Sequence, residues 1–210
     1  MASPGSDERR EIATPSGLAR AAVRRPAGPA TGLVVLGHAA GGGIDAADLV
    51  AVTAALLDAG WAVARVEQPY RVQGRRLPDR APVLDAAWSC VVAALRADHP
   101  GPLVVGGRSS GARVACRTAA AVGASAVVCL AFPLQPPPGK SGRQPPSRVE
   151  ELRAVQVPVL VVQGERDRFG GPAAFPPQLY VVAVPGDHSL RRTAPVAAAV
   201  LDWIGAQRLA

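Results

Sequence analysis

Short apolar runs alternate along most of this chain with longer segments whose apolar residues recur at helical spacing. The short runs are typical of strands that are buried on both faces of a sheet. They cover residues 32–37, 61–67, 103–107, 124–132, 157–164 and 179–184. The helical segments cover residues 45–58, 82–98, 110–121 and 195–207. This alternation predicts an α/β fold, in which helices flank both faces of a mostly parallel sheet.

The N-terminal part of the chain departs from this rhythm. We expect residues 1–8 to form a disordered tail. Residues 9–31 are ambiguous, because a Pro-Ser-Gly sequence at 15–17 favours a turn between two short strands, which the prolines that follow would end. Nothing in the rest of the sequence marks a domain boundary, so residues 9–210 are predicted to form a single domain.

The chemistry of such a fold is expected at one edge of the sheet, because ligands bind beyond the carboxyl ends of parallel strands. Two of the loops at that edge stand out, an arginine-rich loop at 68–81 and a proline-rich loop at 133–148. Neither is long enough to form a separate cap domain. We therefore expect both loops to be walls of a shallow, open cleft.

Composition limits the classes of function. Of the 210 residues, 49% are hydrophobic and 19% are charged, which is typical of a well-packed domain. No apolar run reaches the roughly 18 residues of a membrane-spanning helix, and acidic residues among the N-terminal arginines argue against a secretory signal. The net charge is +7, but only one basic residue is a lysine and only 4% of residues are aromatic. We therefore attribute the positive charge to arginine-rich codon usage and not to a nucleic-acid-binding surface.

The three cysteines, Cys90, Cys116 and Cys129, lie in apolar stretches of the sequence. Their odd number and the lack of a pairing pattern predict reduced, buried thiols. Thiols of this kind are typical of a cytoplasmic protein.

The loop after the third apolar run carries a catalytic motif. Residues 107–111 read Gly-Arg-Ser-Ser-Gly, a G-x-S-x-G pattern centred on Ser109, directly between an apolar run and a helical segment. In this context the pattern is typical of a sharp strand-to-helix turn that lifts the serine hydroxyl above the sheet, and the flanking glycines avoid steric clashes. Ser109 is therefore the candidate nucleophile. The alternative is a tight turn whose serine has no catalytic role.

A serine hydroxyl needs a base to react at neutral pH, and the base needs an acid that orients it. His188 is the only one of the three histidines downstream of Ser109, and it follows the last apolar run. Asp167, three residues past the preceding run, is the candidate acid, with Glu165 as its competitor. The order serine, aspartate, histidine is that of α/β-hydrolases. The alternative is that His188 is a surface residue and Asp167 caps a turn.

Acyl transfer also requires hydrogen-bond donors for the negative charge that develops on the substrate oxygen. We expect one donor to be the backbone N–H of Ser110, at the start of the helical segment. The other is expected from the glycine-rich loop after the first apolar run, where the N–H of Ala39 or Ala40 can approach the nucleophile. His38 in the same loop and Arg108 beside the nucleophile are candidate substrate-binding residues.

Taken together, these segments resemble the α/β-hydrolase superfamily near its dienelactone-hydrolase-like branch. The matching sequences are VVLGHAAGGG at 34–43, GGRSSGARVA at 106–115, FPLQPPPGK at 132–140, VVQGERDRFG at 161–170 and GDHSL at 186–190. Within that branch, the chain is most similar to a small cap-less group that includes a subunit of a nuclear histone-acetyltransferase complex and bacterial relatives. The resemblance implies that Ser109, Asp167 and His188 act as nucleophile, acid and base. The chain departs from the family pattern at Ala39, where glycine is commoner, and dienelactone hydrolases themselves have cysteine in place of Ser109.

Two other motifs suggest phosphate binding. Residues 41–46 fit G-x-G-x-x-A, a dinucleotide-binding pattern, and Glu67 follows about 20 residues later. However, three residues separate the first glycine from the end of the apolar run, where none is expected. Residues 139–141, Gly-Lys-Ser, resemble the end of a P-loop, but leucine stands at 134 in place of the first glycine of that motif.

The sequence therefore predicts a cytoplasmic serine hydrolase that acts on a small ester or thioester and needs no cofactor or metal ion. We expect neither nucleic acid nor membrane as a partner, and nothing indicates a protein partner. Arginines near the expected cleft favour an acidic acyl group or a phosphopantetheine-type thioester if they bind substrate, and otherwise reflect codon usage and solubility. They are Arg71, Arg75, Arg76, Arg80, Arg108 and Arg143. The alternative function is that of a non-catalytic interaction protein that has kept the hydrolase fold.

Overall fold

The computed structural model describes residues 7–138, 142–207 and 209, which form an eight-stranded sheet with helices on both faces. The strands are β1 (Glu8–Thr14), β2 (Gly17–Arg24), β3 (Leu33–Gly37), β4 (Ala62–Glu67), β5 (Leu103–Arg108), β6 (Ala126–Leu130), β7 (Val159–Gly164) and β8 (Tyr180–Val184). The helices are α1 (Ala47–Asp58), α2 (Pro69–Val72), α3 (Ala81–Arg96), α4 (Ser110–Thr118), α5 (Val149–Arg153) and α6 (Thr193–Ala206). A short 3₁₀ helix spans Pro172–Ala174.

The strands lie in the order β1-β2-β4-β3-β5-β6-β7-β8. Neighbours from β4 to β8 pair in parallel, whereas β1 pairs antiparallel with β2, and β2 with β4. The predicted α/β class with a mostly parallel sheet is therefore confirmed. At the centre, Gly37 of β3 pairs with Gly107 of β5, so the loops that follow these strands leave the sheet side by side.

Both faces of the central strands are buried under helices. In β3, Leu33 and Val35 share a core with α3 and α4, whereas Val34 and Leu36 share a core with α1 and α6. Alternate side chains of a strand point to opposite faces, and all four of these side chains are fully buried. Burial on both faces explains why the strands appear in the sequence as unbroken apolar runs.

The N-terminal segment is more ordered than the sequence pattern predicts. β1 and β2 form a hairpin, one of the outcomes that the ambiguous segment 9–31 allowed. The tail predicted at residues 1–8 is wrong at its end, because Glu8 begins β1 and Asp7 forms a salt bridge with the buried Arg65 of β4. Residues 1–6 lie outside the described residues. A polar edge strand that is held by ion pairs has no apolar run to mark it.

The sequence pattern also does not predict α2 or α5. They have four and five residues, too few turns for a helical period to be visible. α2 lies in the arginine-rich loop, and α5 follows the proline-rich loop. Each of these two connections therefore contains or ends in a short helix. None of the helices in the described residues is long and apolar enough to cross a membrane.

Helix α4 approaches β3 closely because both carry glycine at the contact. A Cβ atom at Gly111 would lie 2.4 Å from the carbonyl oxygen of Gly37, a separation that side chains do not tolerate. The missing side chains let the first turn of α4 lie against the end of β3. This contact fixes the position of the turn that precedes α4.

Replacing Gly111 with alanine is expected to lower the free energy of unfolding by about 1–3 kcal/mol, because the new methyl group overlaps the backbone of Gly37. The matched control is Gly205→Ala in α6, where a Cβ meets no other atom within 4 Å. Alanine there is expected to raise stability by up to about 1 kcal/mol, because it favours the helix. Urea denaturation measures both changes, and equal stabilities would refute the close approach.

Candidate active site

Ser109 occupies the turn between β5 and α4, and its backbone is strained. Its φ of 52° and ψ of −106° lie outside the regions that residues with side chains normally adopt. The Ser109 N–H donates to the carbonyl of Leu130 at 2.9 Å. Gly107 lies so close to Gly37 that a Cβ would be 2.3 Å from the Gly37 carbonyl oxygen. This is the strand-turn-helix context that the G-x-S-x-G pattern predicts.

His188 and Asp167 reach Ser109 from two neighbouring loops. His188 Nε2 lies 3.0 Å from Ser109 Oγ, and His188 Nδ1 lies 2.8 Å from Asp167 Oδ2. Asp167 comes from the loop after β7 and His188 from the loop after β8. The structure thus brings together the three side chains that the sequence singles out. Glu165, the competing acid, is exposed and does not take the place of Asp167.

The Asp167 carboxylate is buried within a set of hydrogen bonds. Besides the contact with His188, Oδ2 accepts from Gln163 Nε2 at 2.9 Å and Oδ1 accepts from the Phe169 N–H at 2.8 Å. Gln163 is fully buried in β7 and also donates to the carbonyl of Gly170 at 2.8 Å. These bonds fix the carboxylate and the loop around it. Sequence reasoning missed Gln163, although a polar residue inside an otherwise apolar strand was a signal for it.

The loop after β3 leaves the sheet beside the turn that carries Ser109, because Gly37 of β3 pairs with Gly107 of β5. The N–H of Gly42 donates to the carbonyl of Ala39 at 3.0 Å, which closes a tight turn. Within the described part of the chain, the N–H groups of Ala39, Ala40 and Ser110 donate to no protein acceptor. Ser110 is also the first residue of α4, where the helix dipole places partial positive charge. These groups are therefore free to bind an oxygen of a ligand.

The sequence matches a known family over most of its length. Residues 30–195 match the α/β hydrolase domain family, and this range contains Ser109, Asp167 and His188. The chain belongs to this α/β hydrolase family. No curated protein matches the sequence.

Several solved structures resemble the hydrolase over nearly its whole length. An α/β serine hydrolase without a lid from Xanthomonas campestris has a TM-score of 0.72 at 21% identity, and the match covers 99% of both chains. A serine hydrolase homologue from Coxiella burnetii has a TM-score of 0.77 at 15% identity, covering 97% of this chain and 100% of its own. A cold-adapted esterase from an Arctic intertidal metagenomic library has a TM-score of 0.73 at 18% identity and full coverage of both chains. At these identities the similarity establishes the fold, and the lidless relative agrees with the prediction of no cap domain.

His38 of the hydrolase supports the loop after β3 instead of facing an open cleft. Its buried ring donates from Nδ1 to the carbonyl of Ala39 at 2.8 Å and accepts at Nε2 from the N–H of Gln68 at 3.2 Å. This pattern requires the neutral ring, and burial lowers the pKa of His38. Tyr70 donates its hydroxyl to the carbonyl of Ala40 at 2.8 Å, and burial raises the pKa of Tyr70 to about 12. The structure therefore gives His38 a role in supporting the loop. The substrate contact suggested by the sequence stays a prediction.

Arg108, the other residue for which the sequence suggests a substrate contact, also contacts protein atoms. Its Nη2 donates to the carbonyl of His188 at 3.1 Å, and its Nε lies 3.3 Å from Oδ2 of Asp48 in α1. Only 16% of the side chain is exposed. Arg108 therefore connects the loop that carries His188 to a neighbouring helix.

A groove of about 520 Å³ lies beside His188. It is lined by Gln135, Pro136, Pro137, Pro138, Gln144, Arg168 and Phe169. Phe169 joins the groove to the site, because its ring packs edge-on against the His188 imidazole with 4.6 Å between ring centroids. The Arg168 guanidinium lies over the same phenyl ring at 4.7 Å. The proline-rich loop therefore forms a wall of this groove.

The geometry of the described residues does not fit a dinucleotide-binding turn at 41–46. Gly41 lies four residues past the end of β3, whereas a dinucleotide-binding turn begins at the strand end. The P-loop-like residues 139–141 lie outside the described residues.

His38 predicts a pH dependence of stability. The pKa of His38 is lowered in the folded protein, so the unfolded chain binds a proton at this residue near pH 6.5 while the folded ring stays neutral. The free energy of unfolding therefore falls as the pH drops below this value, by at most about 1.4 kcal/mol per pH unit. His38→Gln is expected to remove this contribution, so its stability deficit relative to the wild type narrows between about pH 7 and pH 5. Urea denaturation across this range measures the difference, and a constant deficit would contradict the assignment.

Proposed function

We propose that this hydrolase cleaves a small ester or thioester through an acyl-enzyme formed on Ser109. The observation that carries the proposal is the continuous set of hydrogen-bond distances from Ser109 Oγ to His188 Nε2 and from His188 Nδ1 to Asp167 Oδ2. A serine hydroxyl at 3.0 Å from an imidazole nitrogen can lose its proton as it attacks a carbonyl carbon. Ser109 is partly exposed, so a ligand from solution can reach its hydroxyl.

In the first half of the proposed reaction, His188 acts as the base. Asp167 accepts the hydrogen bond from Nδ1–H, and this fixes the tautomer in which Nε2 can take the Ser109 proton. The new bond joins Ser109 Oγ to the acyl carbon, and the carbonyl electrons move to oxygen. His188 then gives the proton to the departing alcohol or thiol as the bond to the leaving group breaks.

In the second half, a water molecule replaces the leaving group. His188 takes a proton from the water, the hydroxide attacks the acyl carbon, and the proton returns to Ser109 as the carboxylic acid leaves. In both halves the negative oxygen is stabilised by the N–H groups of Ser110 and of Ala39 or Ala40, which have no protein acceptor among the described residues. Removing one such donor is typically worth about 10²–10³ in turnover.

The surroundings of the triad support a small, uncharged or weakly acidic acyl ester as substrate. The groove next to His188 offers the apolar faces of three prolines and of Phe169, with Arg168 as its cation. Esterase activity is described for the Arctic metagenomic relative, and a serine hydrolase for the Xanthomonas relative. A cytoplasmic location and membership of the cap-less subgroup related to the histone-acetyltransferase complex are part of the proposal and rest on the sequence.

Replacing Ser109 with alanine is expected to abolish turnover of p-nitrophenyl acetate, because the nucleophilic oxygen is lost. The midpoint of thermal unfolding is expected to stay nearly unchanged, because the Ser109 hydroxyl bonds only to His188 among the described residues. Absorbance of released nitrophenolate measures the first result, and differential scanning calorimetry measures the second.

The matched control is Ser89→Ala in α3, where the serine hydroxyl donates to the carbonyl of Asp85 within the same helix. It is expected to keep full turnover. A fluorophosphonate probe should label the wild type and Ser89→Ala covalently and leave Ser109→Ala unlabelled. A wild type that neither reacts with the probe nor turns over esters would favour the non-catalytic interaction protein and overturn the proposed function.

A further inference from the structure

Arg108 lies between a buried carboxylate and the main chain of His188. On one side its Nη2 donates to the His188 carbonyl at 3.1 Å. On the other, its Nε lies 3.3 Å from Oδ2 of Asp48, in the first turn of α1, whose side chain is only 1% exposed. One guanidinium therefore connects three parts of the fold: helix α1, the turn that carries Ser109, and the loop after β8.

The loop that carries His188 lies at the margin of the sheet. It follows β8, which is the edge strand of the sheet and pairs only with β7. Leu190 in this loop adopts a φ of 48°, a conformation that is unfavourable for leucine unless its surroundings hold it. Among the described residues, Arg108 is the only side chain that forms a hydrogen bond with the backbone of His188. Arg108 is therefore one of the contacts that place the imidazole above Ser109, together with the Asp167 carboxylate at Nδ1.

The carboxylate of Asp48 balances the positive charge of the largely buried Arg108 guanidinium. A largely buried guanidinium is unfavourable unless a carboxylate balances it. Burial raises the pKa of Asp48, and the nearby positive charge of Arg108 opposes that rise. The facing atoms lack hydrogen-bond alignment, so their attraction is electrostatic. Without Asp48, an unbalanced cation would contact the main chain of the residue whose imidazole becomes positive during the proposed acyl transfer.

We propose that Arg108, fixed and neutralised by Asp48, is a positioning residue that holds the His188 imidazole within hydrogen-bond reach of Ser109 and makes no contact with substrate. The inference rests on the proposed serine hydrolase function. A reacting group that is misplaced by about 1 Å can lose about 10²-fold in rate. The position of Arg108 directly before the nucleophile means that the same short segment sets both partners of the proton transfer.

The test compares Arg108→Gln with the wild type in p-nitrophenyl acetate turnover and in the rate of fluorophosphonate labelling. We expect kcat and the labelling rate to fall by about 10–100-fold, with KM within about twofold, because only the proton transfer is misaligned. Arg108→Lys keeps the charge and one donor, so it should recover part of kcat. A rise in KM at unchanged kcat would show that Arg108 binds substrate, and unchanged kinetics would show that it does neither.

Two further variants separate positioning from stability. Arg117→Gln removes a guanidinium of similar exposure, 19%, whose ion pairs among the described residues are with Asp85 and Glu151 and not with the triad. It is expected to lower the thermal midpoint and keep kcat. The double variant Asp48→Asn/Arg108→Gln leaves no buried charge unpaired, so it should regain the midpoint lost by Arg108→Gln without regaining kcat. Recovery of kcat in the double variant would overturn the positioning role.

Crystal structures of the wild type and the double variant test the inference independently of turnover. We expect the distance between His188 Nε2 and Ser109 Oγ to lengthen beyond hydrogen-bond range in the variant, whether or not the wild type hydrolyses esters. An unchanged distance would refute the positioning role. If the wild type does not react but the distance is longer in the double variant, only the proposed function is refuted.

Discussion

The close contact between the ends of β3 and β5 and the start of α4 is the constraint on which the site depends. Glycine at 107 and 111 lets these backbones approach Gly37 at distances that any side chain at either position would prevent. This contact forces the chain to reverse sharply at Ser109, and the hydrogen bond to Leu130 holds the strained residue in place. The serine is thereby raised above the sheet edge, and the first N–H groups of α4 are left next to it.

The polar groups around the turn are each held by a second group that does not react. Gln163 and the Phe169 N–H hold Asp167, which in turn orients His188. In the loop after β3, His38 and Tyr70 donate hydrogen bonds to two backbone carbonyls. These bonds fix the peptide groups of the loop and with them the direction of its N–H groups. Because these supports come from strands and buried side chains, the geometry exists before any ligand binds.

Much of this arrangement was predictable from the sequence, and the failures have physical causes. Buried parallel strands leave unbroken apolar runs, and the G-x-S-x-G turn fixes a local conformation. The fold class and the roles of Ser109, Asp167 and His188 could therefore be predicted. The pattern did not predict the ordering of Asp7 and Glu8, since ion pairs and edge pairing depend on partners distant in sequence. For the same reason it could not show that His38 and Arg108 turn toward protein atoms. A residue type indicates which bonds a side chain can form, but only the folded chain determines which partner it meets.

The outermost strand, β8, leads directly into the segment that bears the imidazole. An outer strand has a ladder on one side only, and strands of this kind open in local fluctuations at lower free energy than central ones. Fraying of β8 would therefore separate the imidazole from the hydroxyl while the glycine-packed centre stays intact. The stability of this edge strand therefore limits the temperature range in which the imidazole stays beside the hydroxyl. On heating, the two groups separate before the core unfolds.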